Sequence, residues 1–180
     1  MAAALADLLP DNAHVLVAGC GTGGDLITLG ETNLSWRLSA VEPSSAMLAV
    51  AEQKARSTMM AGRTAFHNSI LQDAPLTLHD AAVSSLVCHF IPDDGAKAHY
   101  LTSLNQRLKP GAPLLMFDYE AINMPITAYS QWLMAQGASV SEHSLLFSGS
   151  PPTGILFLIS AFTISFMSAA LARPHPFFRL

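Results

Sequence analysis

Apolar positions along this chain fall into short continuous runs separated by stripes at helical spacing. Val15, Leu16, Val17 and Ala18 follow His14 without a polar interruption, the pattern of a strand covered on both faces. Residues 34–41 predict a second strand, Thr64–His67 a third, 80–87 a fourth and 112–117 a fifth. Between the second and third strands Met47, Leu48, Ala51, Ala55 and Met59 make one apolar helical stripe. Pro43-Ser44-Ser45 precedes it, with Ser44 as the predicted N-cap. A short leading helix over 5–9 stops at Pro10, and another helix starts near Asp25. A longer helix over 94–108 ends at Lys109-Pro110-Gly111, where proline cannot continue it and glycine accepts the cap. Strands alternating with helices predict a doubly wound, mostly parallel sheet with helices on both faces.

The last third is less regular. A helix over 127–136 ends at Gly137, and 139–147 reads as another. Pro151-Pro152 breaks the chain before residues 154–172, which hold no charge at all. Charge thins out across the whole region, since Glu142 is the one charged residue between Ala121 and Ala172. The run 154–172 just reaches the length of a membrane span. Ser160, Thr163, Ser165 and Ser168 dilute it, however, so it reads first as a buried helix leading into a terminal strand over 175–180. An exposed apolar face for homodimerisation or an apolar substrate is the other alternative.

The 180 residues suit a single domain, 1–180, with 10–120 as core and 121–180 as the acceptor side. Charged residues are only 12% and apolar residues 51%, and the net charge of −4 offers no global basic field to nucleic acid or membrane. The start, Met1-Ala2-Ala3-Ala4, lacks a basic region and a long apolar core. Two cysteines, Cys20 and Cys88, fit a reducing, cytoplasmic setting and read as small apolar packers. The histidines show no metal-ligand spacing, so no metal is expected.

Chemistry concentrates where the first strand ends. Gly19, Gly21 and Gly23 alternate through the turn into the next helix, letting a ligand approach the main chain. Glu42 closes the second strand, the place from which an acid accepts both hydroxyls of a ribose. The loop therefore predicts a nucleoside-bearing cofactor. Gly19, Gly21 and Gly24 also make a G-x-G-x-x-G frame, which keeps a nicotinamide-dependent oxidoreductase open.

Four segments taken together decide between the two. The loop VLVAGCGTGG, the strand end Ala40-Val41-Glu42-Pro43-Ser44 followed by Met47, the strand AAVSSLVCHF and the turn Leu108-Lys109-Pro110-Gly111 occur in that order. In this the chain resembles class I S-adenosylmethionine-dependent methyltransferases of the small stand-alone bacterial type, over roughly residues 10–120. The resemblance implies a Rossmann-like fold and S-adenosylmethionine as cofactor. It places Ala18, Gly19, Cys20, Gly21 and Gly23 against the methionine part, Glu42 on the ribose, and Pro43 and Met47 beside the adenine. Ser69 stands where many members carry an acid facing the adenine amino group, which leaves that edge to backbone groups and Ile70. Val87, within the segment 86–89, would run past the methyl group. Such families end their sheet in an antiparallel hairpin, and a single terminal strand over 175–180 would leave the last strand missing.

A sulfonium is an activated methyl donor, so the protein mainly aligns the reacting atoms and, where needed, supplies one base. His89, Asp118 and Tyr119 stand at or beyond strand ends, and His89 is the first candidate for that base. Equally, it reads as a packed histidine with no chemical role. Cys88-His89-Phe90-Ile91 replaces the Asn/Asp-Pro-Pro-aromatic signature of amino-directed nucleic-acid methyltransferases, and with the low charge of 121–172 this favours a small or apolar acceptor over nucleic acid. A degenerate protein that binds the cofactor without catalysis is the remaining alternative.

Overall fold

A computed structural model describes residues 2–92, 94–119, 141–143 and 154–160. The elements are α1 (Ala2–Ala6), β1 (His14–Ala18), α2 (Gly24–Thr32), β2 (Arg37–Val41), α3 (Ser45–Ser57), β3 (Thr64–His67), β4 (Ala81–Ser85), α4 (Ala96–Asn105), β5 (Pro113–Tyr119), β6 (Ser141–His143) and β7 (Gly154–Ser160). They form one sheet in the order β3-β2-β1-β4-β5-β7-β6. The first five strands are mutually parallel, as the alternation with helices predicts. β7 runs antiparallel to β5, and β6 antiparallel to β7.

Those last two strands correct the reading of the apolar tail. Residues 154–160 are a strand and not the start of a buried helix, and 141–143 are a strand inside the stretch read as helical. The antiparallel hairpin that the terminal-strand reading left incomplete is supplied earlier in the chain, so the sheet is not short of it. Ile155, Phe157 and Ile159 are good strand formers, and an apolar run without a period does not distinguish helix from strand. The open edge of β5 decides, pairing Pro113 through Tyr119 with Ser160 through Gly154. The helix predicted over 127–136 and the strand over 175–180 lie outside the described residues.

Period-two alternation sorts each parallel strand between two cores. Val15 and Val17, Leu38 and Ala40, Ala81 and Val83, and Leu115 pack under α1, α2 and α3 with Leu26, Leu29, Leu48, Ala51 and Ala55. Leu16 and Ala18, Val41, Ala82, Leu114 and Met116 face the other way, against Tyr100, Leu101 and Leu104 of α4. Ser44 caps α3 as predicted, accepting from the Met47 N–H at 3.4 Å. The stripe ends sooner than expected, because the helix stops at Ser57: Met59 has φ 59° and is exposed, and Met60 takes the buried place. β2 is likewise shorter than 34–41, since Leu34 is exposed while Trp36 is fully buried with its indole N–H on the Pro10 carbonyl at 3.1 Å.

The amino-terminal edge of the sheet carries a buried histidine. His79 is 1% exposed, its Nδ1 lies 2.9 Å from the Arg107 carbonyl oxygen, and its ring packs against that of His14, centroids 4.3 Å apart and planes tilted by 50°. Burial pushes its pKa down to about 4, and His14 is lowered by burial as well. Below the ordinary value the unfolded chain binds protons that the folded chain refuses. Stability is therefore expected to be full above about pH 6.5 and to fall as the pH drops towards 4, by about 3 kcal/mol for His79. Urea midpoints measured across that window should show the decline, and His79→Gln should flatten it; an unchanged slope would refute the assignment.

Candidate functional site

β1 and β4 are neighbours, while β2 and β3 extend the sheet one way and β5 the other. Ligands of such sheets sit at this reversal, beyond the carboxyl ends of the strands. The loop after β1 is held there by three of its own backbone donors, and Ser44 at the start of α3 adds a fourth, to the Glu42 carboxylate. Gly19 N–H and Cys20 N–H both donate to the Val41 carbonyl, at 2.9 and 3.1 Å. Gly21 N–H donates to Glu42 Oε2 at 2.9 Å, and Ser44 N–H to Glu42 Oε1 at 2.9 Å. Glu42 is 7% exposed, so one buried carboxylate ties the glycine loop to the start of α3. Asn68 Nδ2 then fixes the Glu42 segment from β3, donating to the carbonyls of Glu42 and Pro43 at 2.9 and 3.0 Å.

Two glycines are demanded by space as well as by conformation. Gly19 has φ 73°, and a Cβ there would stand 2.4 Å from Val87 Cγ2. Gly23 has φ 85°, and a Cβ would lie 3.0 Å from that of Ala51 on α3. The first leaves room at the tip of the strand, and the second lets α3 pack onto the loop.

A cavity of about 740 Å³ opens on this loop. Among the predicted residues, Gly19, Cys20, Gly21, Glu42, Pro43, Met47, Ile70 and Val87 meet on its wall. Ala18, Gly23, Ser69 and His89 do not line it. Ala18 is buried within β1, Gly23 lies under α3, and Ser69 Oγ is buried with no partner among the described residues. The wall also includes Leu86, from the segment expected near the methyl group, and Thr22, Asp25, Gln72, Phe90, Ile91 and Tyr100, to which sequence reading gave no role in the site. Leu86 opens the segment 86–89 that the resemblance runs past the methyl group, and its φ of 56° turns the chain sharply after β4.

Asp25 and Glu42 are the charged residues of the wall, and no lysine or arginine joins them among the described residues. The cavity thus favours a cation. Burial, reinforced by the Glu42 carboxylate, pushes the Cys20 thiol up to about 12, so it stays protonated and unreactive. Burial also raises the Tyr100 phenol, whose hydroxyl lies 2.8 Å from Ser84 Oγ, and this removes Tyr100 as a base.

His89 lies in the single turn Cys88–Phe90 beside the cavity, between the wall residues Val87 and Phe90. Its Nδ1 is 2.6 Å from Asp118 Oδ1, and Asp118 Oδ2 accepts from the Cys88 N–H at 2.6 Å. The rings of His89 and Phe90 are 3.9 Å apart.

The family model described as a methyltransferase domain matches residues 15–111. Among solved structures, the chain is similar to magnesium protoporphyrin IX methyltransferase (ChlM) from Synechocystis PCC 6803 with bound SAM, at 18% identity over 87% of this chain and 73% of that one, with a TM-score of 0.69. It is also similar to the O-MT segment of StiE, at 17% identity over 89% and 74%, with a TM-score of 0.63. A third similar structure is the [4+2]-cyclase SpnF, at 20% identity over 71% and 47%, with a TM-score of 0.59. At these identities the likeness is one of fold. No curated protein matches the chain.

Proposed function

The chain belongs to the methyltransferase-domain family, and from that premise we propose that it transfers a methyl group from S-adenosylmethionine to a small or apolar acceptor. The observation that carries this reading is a cavity with a glycine cradle, a buried Glu42 and no basic side chain among its described residues. S-adenosylmethionine, when bound, supplies a methyl group already activated on a cationic sulfur. Gly19, Cys20 and Gly21 lie against its amino-acid part, with Ala18 and Gly23 behind them. Glu42 accepts the ribose hydroxyls. Each of its oxygens carries two lone pairs and spends one on a backbone N–H, of Gly21 or of Ser44, so acceptor capacity remains. Pro43, Met47 and Ile70 flank the adenine, near Ser69, and Val87 flanks the methyl group.

The same wall argues against the nicotinamide alternative. A pyrophosphate at the start of α2 would face Asp25, and the Gly21 N–H that would greet it is engaged by Glu42. For the acceptor, Leu86, Phe90, Ile91 and Ala96 offer apolar surface on the same wall. His89 is the general base of this reading, residues 10–120 its cofactor core and 121–180 its acceptor side. The protein works as a cytoplasmic enzyme with both cysteines as thiols; homodimerisation through the apolar tail is part of the same reading. No helix among the described residues is long and apolar enough to cross a membrane.

Calorimetric titration with S-adenosylhomocysteine tests this, with reduced nicotinamide dinucleotide as control. Saturable micromolar binding of the first alone is the expected result. A folded sample that binds neither would sink the catalytic reading.

A further inference from the structure

We propose that Asp118 is the positioning partner of His89, and that the pair serves an acceptor whose nucleophile is a neutral hydroxyl. The inference rests on the methyltransferase reading and gives its acceptor a chemical class. Three observations converge on it. Ser85 of β4 pairs with Phe117 of β5, so the chain that leaves β4 at its ligand end starts beside Asp118, which continues β5. Leu86, at φ 56°, donates its N–H to the Phe117 carbonyl and turns the chain back over β5. Asp118 then grips that turn at two points, His89 Nδ1 and Cys88 N–H, each at 2.6 Å. The carboxylate is anchored on the main chain by one oxygen and directed at the imidazole by the other.

A carboxylate on Nδ1 holds the proton there and leaves the lone pair on Nε2, the tautomer a general base requires. The nature of the acceptor follows from what needs such a base. A carboxylate or thiolate attacks already ionised, and an amine attacks through its own lone pair. A hydroxyl becomes a good nucleophile only as its proton leaves. Asp25 and Glu42 on the wall also disfavour an anionic acceptor. In the step, the hydroxyl oxygen forms its bond to the methyl carbon while His89 Nε2 takes the hydroxyl proton. The carbon–sulfur bond breaks with its electron pair left on sulfur, which becomes a neutral thioether. The imidazolium, paired with Asp118, afterwards returns its proton to solvent.

The test uses the full chain and a panel of small aromatic acceptors: methoxyphenol, nitrophenol, benzoate, thiophenol and aniline. Wild type should methylate the hydroxyl members. His89→Gln should lose about 10²–10⁴-fold in kcat on methoxyphenol, the usual span of general-base catalysis. Asp118→Asn keeps an oxygen for the Cys88 N–H but turns an amide N–H₂ towards His89, and should lose roughly 10²-fold there. On nitrophenol, which is ionised above neutral pH and needs no base, both losses should shrink to a few-fold. S-adenosylhomocysteine affinity should stay unchanged in both variants. Equal losses on the two phenols would make Asp118 a structural clamp and overturn the proposal. Turnover confined to thiol, amine or carboxylate, or no turnover of any hydroxyl by a chain that binds S-adenosylhomocysteine, would overturn it too. Loss of cofactor binding by the wild type is a separate result, which sinks the methyltransferase reading itself.

Discussion

Gly19→Ala is expected to destabilise the fold by about 2–5 kcal/mol and to abolish measurable cofactor binding. Two costs add. An alanine held at φ 73° meets the left-handed penalty of about 1–2 kcal/mol. Its Cβ would also stand 2.4 Å from Val87 Cγ2, and overpacking of that kind costs about 1–3 kcal/mol. Valine cannot swing aside easily, because branching at Cβ limits its rotamers. The two costs separate in a double variant. Val87→Ala should restore the steric share in the Gly19→Ala background and leave the conformational share in place. Urea midpoints of the four proteins and calorimetry with S-adenosylhomocysteine check this. Wild-type stability in Gly19→Ala would mean that the loop does not hold the described conformation.

Glu42→Ala is expected to weaken S-adenosylhomocysteine binding by about 1–3 kcal/mol, roughly 5- to 150-fold in Kd. It should also lower the stability of the free protein, because the carboxylate accepts from the N–H groups of Gly21 and Ser44 before any ligand arrives. Hydrogen bonds to charged groups contribute about 1.5–3 kcal/mol each, less where water can replace the lost acceptor, as it can at a cavity wall. Glu42→Gln retains one acceptor oxygen but sets an amide N–H₂ against another donor, so it should fall between wild type and Glu42→Ala in both measurements. Unaltered affinity in Glu42→Ala would remove the ribose assignment, while unaltered stability would remove the clamp.

Part of the cofactor site was readable because its chemistry is local. Alternating glycines after an apolar run, and an acid at the next strand end, are each set by neighbours in the chain. What Glu42 does for the protein itself was not readable: its bond to Gly21 spans 21 positions and exists only when β1 and β2 lie in register. Asn68 escaped for a related reason. An asparagine after a strand is common, and its hold on the Glu42 and Pro43 carbonyls needs β3 beside β2. His89 and Asp118 were both noticed as strand-end residues, but their pairing depends on β4 and β5 being neighbours and on the positive φ of Leu86.

The order and type of the first five strands, the helices between them, the glycine turn and the acid at Glu42 followed from residue pattern alone. Hydrophobic period and backbone preference act over a few residues, and here they agree with the fold. The tertiary structure decided whatever depended on a partner far along the chain. It chose strand over helix for residues 154–160, because β5 presented an unpaired edge and the run carries no period of its own. It brought Asp25, Gln72, Leu86 and Tyr100 to one cavity from four separate segments. It joined His89 to Asp118 across 29 positions. Strand register sets these contacts, and register belongs to the folded sheet, since no local preference encodes which strand lies beside which.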